Sequence, residues 1–263
     1  MKLIWFGLLI EILILSLMKQ LIMDLQFLII FCVAIHAIFT LLVFFWRTSG
    51  KYRIIFSGAF IIRILVLGWD LYARNIYVLP TFGTDDDSFY MVAVTISQHS
   101  SLLFNAYLYG GLYTKVMGFL FYLIGPHRIF GQYINVLLGL SMVCLIYKIL
   151  KKLEIKPSIN EKIIFLAAFF PMSVLLSANF RREMFITFIV TASLYYFIRW
   201  FKLPKYTDMF ITIALLTLAS MFHSGVIGIG AGYLFAFLFY KRESNSFKFT
   251  NKTIFTCVFI VII

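Results

Sequence analysis

Charge is what this sequence has least of. Only 13% of its 263 residues are charged and only 11 are acidic, against roughly a quarter charged in soluble domains. Hydrophobic residues make up 62%. A chain of this length folding in water cannot hide so much apolar surface, because a water-soluble protein keeps a large polar shell. A soluble globular domain is thereby excluded. Cysteine is scarce as well. Cys32, Cys144 and Cys257 lie far apart in apolar runs, lack the close spacing of a metal or redox motif, and read as small buried hydrophobes. No internal repeat or low-complexity linker is visible. No small-residue cleavage site follows the apolar start, Glu11 interrupts it, and another apolar run begins at once; this is a retained span rather than a signal peptide.

What the chain has is apolar runs near spanning length, about 20 residues for roughly 30 Å of hydrocarbon. They predict an all-α, polytopic transmembrane bundle in the lipid bilayer, a single domain over 1–263, with spans at 3–18, 21–46, 54–72, 129–150, 162–179, 184–200, 207–222 and 225–240. Within it, 1–52 holds two leading spans, 53–150 a module with a first outer loop at 73–106, and 151–263 the remaining spans. The net charge of +12 would suggest nucleic acid in a soluble protein. Here the basic residues fall in short connections, at Arg47/Lys51/Arg53, Lys148/Lys151/Lys152/Lys156, Arg199/Lys202/Lys205 and Lys241/Arg242/Lys248/Lys252. That is the positive-inside pattern, so these connections are expected in the cytoplasm and no nucleic-acid partner is expected.

Residues 107–124 break the parity. A crossing there would place Lys148 to Lys156 outside, and the segment carries Lys115 with Gly110, Gly111, Gly118 and Gly125 nearby. We expect an outer-face interfacial or re-entrant helix, tolerated where protein covers it; the alternative is one failure of the positive-inside rule. The apolar run 253–263, about 16 Å long as helix, is too short to span, and the sequence is expected to be a piece of a longer protein.

Chemistry concentrates at the expected outer face. Asp85, Asp86 and Asp87 are consecutive and repel one another. A helix start capped by Thr84 or Asp85 offsets one or two charges; a third points to a metal, a cationic partner or a raised pKa. Tyr90, one turn after Asp86, can face the same cleft. Arg181 and Arg182 sit on the side that the insertion bias disfavours and suit a phosphate or pyrophosphate, with Glu183 or lipid headgroups as the plainer partners. His223 shares that face, and Lys115 either snorkels or points into the same cleft. Arg63 lies near mid-span and should face protein, with Asp70 or Glu11 as possible partner. His36 reads as a packing residue.

The order Asp86-Asp87-x-x-Tyr90-x-x-Ala93, the aromatic and glycine-rich stretch Tyr107 to Gly125, Gln132-x-x-Asn135-Val136-Leu137-Leu138-Gly139 and Lys148-Ile149-Leu150-Lys151-Lys152 resembles the N-terminal module of the GT-C glycosyltransferases, membrane enzymes that use polyprenyl-phosphate donors. Ser177-x-x-Phe180-Arg181-Arg182-Glu183 and Leu218 to Ser224 resemble bacterial surface-polysaccharide polymerases. This chain has Asp-Asp-Asp where relatives commonly have Asp-Glu, and Gly110-Gly111 near the place of a Pro-Pro pair. The resemblance implies a GT-C-like fold and transfer of a sugar from a polyprenyl-phosphate-linked donor to a glycan or lipid acceptor, in cell-surface polysaccharide or glycoconjugate assembly, at a multi-pass site facing outward from the cell membrane. It implies Asp86 as base, Asp87 as its alternate or as acceptor positioner, and Arg181 and Arg182 on the phosphate, with Tyr90, Lys115 and His223 as further substrate contacts. No cofactor is demanded; a divalent ion, Mg or Mn, would be held by Asp85 and Asp86. The competing class is a lipid-linked-sugar or polysaccharide transporter that does no chemistry.

Overall fold

A computed structural model describes residues 1–19, 25–48, 50–83, 85–105, 107–241 and 246–247. Thr84, Cys257, the start of the expected span 21–46, most of the last basic connection and the run 253–263 lie outside the described residues. The described residues are helical almost throughout. The first three helices, α1 (Lys2–Met18), α2 (Leu25–Arg47) and α3 (Gly50–Tyr72), match the first three expected spans. Two short helices then fill the expected outer loop and the segment after it, α4 (Asp85–Gln98) and α5 (Leu112–Ile124), joined through a 3-10 turn at Ser100–Phe104. The remainder is α6 (Arg128–Lys152), α7 (Pro157–Phe169), α8 (Pro171–Ala178), α9 (Glu183–Lys202), α10 (Tyr206–Phe222) and α11 (Ile227–Phe239), followed by a two-residue antiparallel pairing of Tyr240–Lys241 with Ser246–Phe247.

Among the described residues four helices, α2, α3, α6 and α9, are long and apolar enough to cross a membrane, and α7 with α8 makes a fifth if the bent pair is one span. Large apolar side chains stand out along their outer surfaces: Phe27 on α2 is 72% exposed, Leu65 on α3 67%. In water these would be a liability; in lipid they are the expected perimeter. The inside is built on α6. Its sixteen buried positions include every residue from Phe130 to Val143, the mark of a helix surrounded by others. Glycine makes that crowding possible. A Cβ on Gly139 would lie 2.7 Å from Ser177 Cβ, and one on Gly131 would strike the ring of Phe180.

The span expected at 162–179 is not one helix. It begins earlier, at Pro157, and bends by 45° between Phe169 and Pro171. Proline cannot donate a backbone hydrogen bond, so carbonyls in the preceding turn lose their partners. Arg63 supplies a replacement, donating from Nη1 to Ala168 O at 2.8 Å and to Ala59 O at 2.9 Å. Arg63 is wholly buried and faces protein as expected, but neither Asp70 nor Glu11 is its partner. It serves the break in α7–α8, which is how irregular backbone survives at membrane depth. His36 is likewise structural, bridging Tyr133 Oη at 2.7 Å and Ile4 O at 2.9 Å.

The two ends of the bundle differ. Lys51 pairs with Glu161 at 3.1 Å and Lys202 with Glu154 at 2.7 Å, which brings three of the basic connections together at one end. The aspartates occupy the other. Helix α5 is 13 residues long, about 20 Å and short of a full crossing. The chain on either side of it returns to the start of α4: the Tyr109 hydroxyl meets Asp85, and Pro126 O accepts from Tyr90. The segment therefore leaves and re-enters the same end of the bundle.

Candidate functional site

Helix α4 starts at Asp85, so Asp85, Asp86 and Asp87 fill its first turn, where free N–H groups and the helix dipole favour negative charge. That is not their main support. Arg74, just past α3, donates from Nη1 to Asp87 Oδ1 at 2.8 Å and from Nη2 to Asp86 Oδ2 at 3.2 Å. Arg128, the first residue of α6, repeats the pattern, Nη1 to Asp87 Oδ1 and Nη2 to Asp86 Oδ2, both at 2.5 Å. Both guanidinium groups also turn Nε towards Asp70, at 3.3 and 3.5 Å, and Asp70 Oδ2 accepts from Gln132 at 2.6 Å. Three carboxylates and two arginines thus form one network, and the cationic partner that the aspartate run calls for is arginine.

Exposure separates the carboxylates. The side chain of Asp86 has no exposed surface and that of Asp70 only 2%, whereas Asp87 is 42% and Asp85 53% exposed. Both hydrogen bonds to Asp87 fall on Oδ1, and Oδ2 takes none from the described residues. Burial by itself would push the Asp87 carboxyl up, but the hydrogen bonds from Arg74 and Arg128 outweigh it and hold the group below the usual carboxylate value. Asp85 accepts from the Tyr109 hydroxyl at 3.0 Å and lies 3.6 Å from Arg181 Nη1. The hydrogen bond to Asp85 raises the Tyr109 phenol above its ordinary value.

Arg181 reaches Asp85 because the link between α8 and α9 is pinned. Phe180, wholly buried, packs against Tyr90, Tyr113 and Phe121 with ring centroids 5.5 to 5.8 Å apart. Asn135 Nδ2, from α6, donates to Asn179 O at 2.7 Å and Arg181 O at 2.8 Å, meeting carbonyls that the helix break leaves open. Asn179 Nδ2 in turn holds Thr81 in the loop between α3 and α4, at 3.3 Å to both its carbonyl and hydroxyl oxygens. The Arg182 guanidinium lies over the Phe89 ring, 5.7 Å from its centroid, and no ion pair joins Glu183 to either arginine among the described residues. Tyr90 is in the site: its hydroxyl donates to Pro126 O at 3.0 Å, and Arg128 stands over its ring. Together with His127, Ile30 and Leu71 these two residues line a cleft of about 350 Å³.

Two expected contacts are not drawn in. Lys115 is half-buried on α5, and its ammonium group enters no ion pair or hydrogen bond among the described residues. His223 ends α10 at the same end of the bundle, exposed, with no side-chain partner among the described residues. The sequence reading also missed Arg74 and Arg128. The signal was present, since both are cations in connections expected on the outer side, the same reason that drew attention to Arg181 and Arg182. Of the two carboxylates expected to hold a divalent ion, Asp86 accepts from two guanidinium groups on Oδ2 and Asp85 lies beside Tyr109 and Arg181; among the described residues no three of His, Cys, Asp and Glu are grouped. Scanned against protein-family models, and searched against curated proteins and solved structures, the chain matches none.

Proposed function

We propose that this chain is a membrane glycosyltransferase of GT-C type. It moves a sugar from a polyprenyl-phosphate-linked donor to a glycan or lipid acceptor at the extracytoplasmic face, in cell-surface polysaccharide or glycoconjugate assembly. In this reading the bundle crosses the bilayer eight times, with α5 lying at the outer face and the basic connections inside.

The observation that carries the proposal is Asp87: a carboxylate fixed through one oxygen by two arginines, with the other oxygen open, among cations at one end of an apolar bundle. Its roles follow from exposure. An acceptor hydroxyl cannot approach the enclosed Asp86 without breaking the network, so Asp87 takes the part of base and Asp86 holds Arg74 and Arg128 in place. Asp87 Oδ2 accepts the acceptor proton as the hydroxyl oxygen bonds to the anomeric carbon. The bond from that carbon to the donor phosphate breaks, and its electron pair leaves on the phosphate oxygen. Arg181, with Arg182 beside it, offsets the charge that develops there. The neighbouring cleft beside Tyr90 and Arg128, lined also by Ile30 and Leu71, suits the apolar part of a lipid-borne donor. The test is transfer of labelled sugar from a lipid-linked donor by the purified chain, with Asp87→Asn as comparison.

A second reading, transport without chemistry, gains from the broken helix α7–α8 and the buried Arg63 beside it, since carriers place interrupted helices at mid-membrane. Transport would show as labelled lipid-linked sugar crossing vesicles that contain no acceptor, indifferent to Asp87→Asn.

A further inference from the structure

A second cationic site stands at the opposite end of the bundle from the aspartates. Lys2 opens α1, Arg47 closes α2, and Lys148 lies one turn before the end of α6. These three residues line a single cleft of about 790 Å³. Its remaining walls are mostly apolar, among them Phe6, Val43, Phe44 and Phe56, and no carboxylate lines it among the described residues. Elsewhere at this end Lys51 and Lys202 have glutamate partners; Lys2, Arg47 and Lys148 enter no ion pair among the described residues. Like charges gathered from three helices repel one another, and an anion between them relieves that repulsion. The apolar walls select which anion. A free phosphate has no use for them, whereas a phospholipid can set its headgroup among the cations and an acyl chain along Phe6, Val43 and Phe44. Basic pockets between transmembrane helices are known to hold anionic headgroups.

We infer that this cleft is a binding site for one anionic phospholipid, separate from the aspartate site and independent of the activity proposed for it. With roughly fivefold from each cation near a headgroup, the three together favour an anionic over a zwitterionic lipid about a hundredfold.

The test is native mass spectrometry of the full chain released from micelles doped with dioleoylphosphatidylglycerol or dioleoylphosphatidylcholine. The wild type should retain one phosphatidylglycerol preferentially. The variant Lys2→Gln/Arg47→Gln/Lys148→Gln should lose that preference. A control, Lys151→Gln/Lys152→Gln/Lys156→Gln, removes as many charges from the same end outside the cleft and should keep it. Equal loss in both variants would mean diffuse surface attraction and overturn the site, as would an unchanged first variant. Displacement of the lipid by inorganic phosphate at millimolar concentration would overturn the phospholipid assignment.

Discussion

Replacing Asp86 and Asp87 one at a time by asparagine should separate structure from chemistry in the aspartate network. Asp86 is enclosed and receives Arg128 at 2.5 Å and Arg74 at 3.2 Å on one oxygen. An asparagine there removes the charge between two guanidinium groups, and its neutral amide oxygen is a weaker acceptor for both of them. Removing one partner of a buried ion pair costs about 3–5 kcal/mol. Here both arginines keep Asp70 and Asp87, and their side chains are 25% and 16% exposed, so the loss should fall nearer about 2–3 kcal/mol. Asp87 is different. It is 42% exposed, an amide oxygen can still accept one arginine, and the cost should stay within about 1 kcal/mol, as for surface pairs. Equilibrium unfolding in mixed detergent micelles measures both. Equal losses for the two variants, or a neutral Asp86→Asn, would refute the division of roles.

Three further outcomes are expected. The Asp87 carboxyl is held below its unfolded value, so its stabilising contribution is complete above pH about 4 and is lost only as pH falls through the lower folded value. The stability difference between wild type and Asp87→Asn should therefore be flat from pH 5 to 8, and a change centred near pH 6 would point to another group. Asn135→Leu leaves the carbonyls of Asn179 and Arg181 without their donor, which should cost about 1–3 kcal/mol. It should also raise KM for the lipid-linked donor more than it lowers kcat; a stability loss with KM unchanged would show that Asn135 does not position Arg181. Single cysteines at Ser101 and Ser224 should label from outside intact cells, and one at Lys156 only after permeabilisation; any exchange between the two sets contradicts the topology.

Much of this arrangement was legible in the sequence because it depends on period, length and charge alone. The helices, the gathering of basic connections at one end, and the return of 107–124 to its starting side follow from hydropathy and the positions of lysine and arginine. The placing of Arg181 beside the aspartates followed from sidedness as well. The failures share a cause: each depends on which side chain meets which across the bundle. Asp70 lies two turns from Arg63 on one face, about 10 Å along the axis, yet Arg74, four residues on, claims it first. The bend at Pro171 was visible as a proline, but its support comes from Arg63, more than a hundred residues away in the chain, and hydropathy records only that the span is apolar. Asp86 and Asp87 are indistinguishable as letters. Both take Arg74 and Arg128 as partners, and the difference in exposure, none against 42%, shows only in the folded chain.

The transferase reading rests on Asp87 acting on an acceptor, and transfer of radiolabelled sugar from a polyprenyl-phosphate-linked donor by purified protein in vesicles tests it most directly. The wild type should transfer label to acceptor. Asp87→Asn, matched for folded protein, should lose at least about a hundredfold in kcat, the usual contribution of a positioned base. Undiminished transfer by Asp87→Asn, or label that crosses the vesicle without ever leaving its lipid, would contradict it.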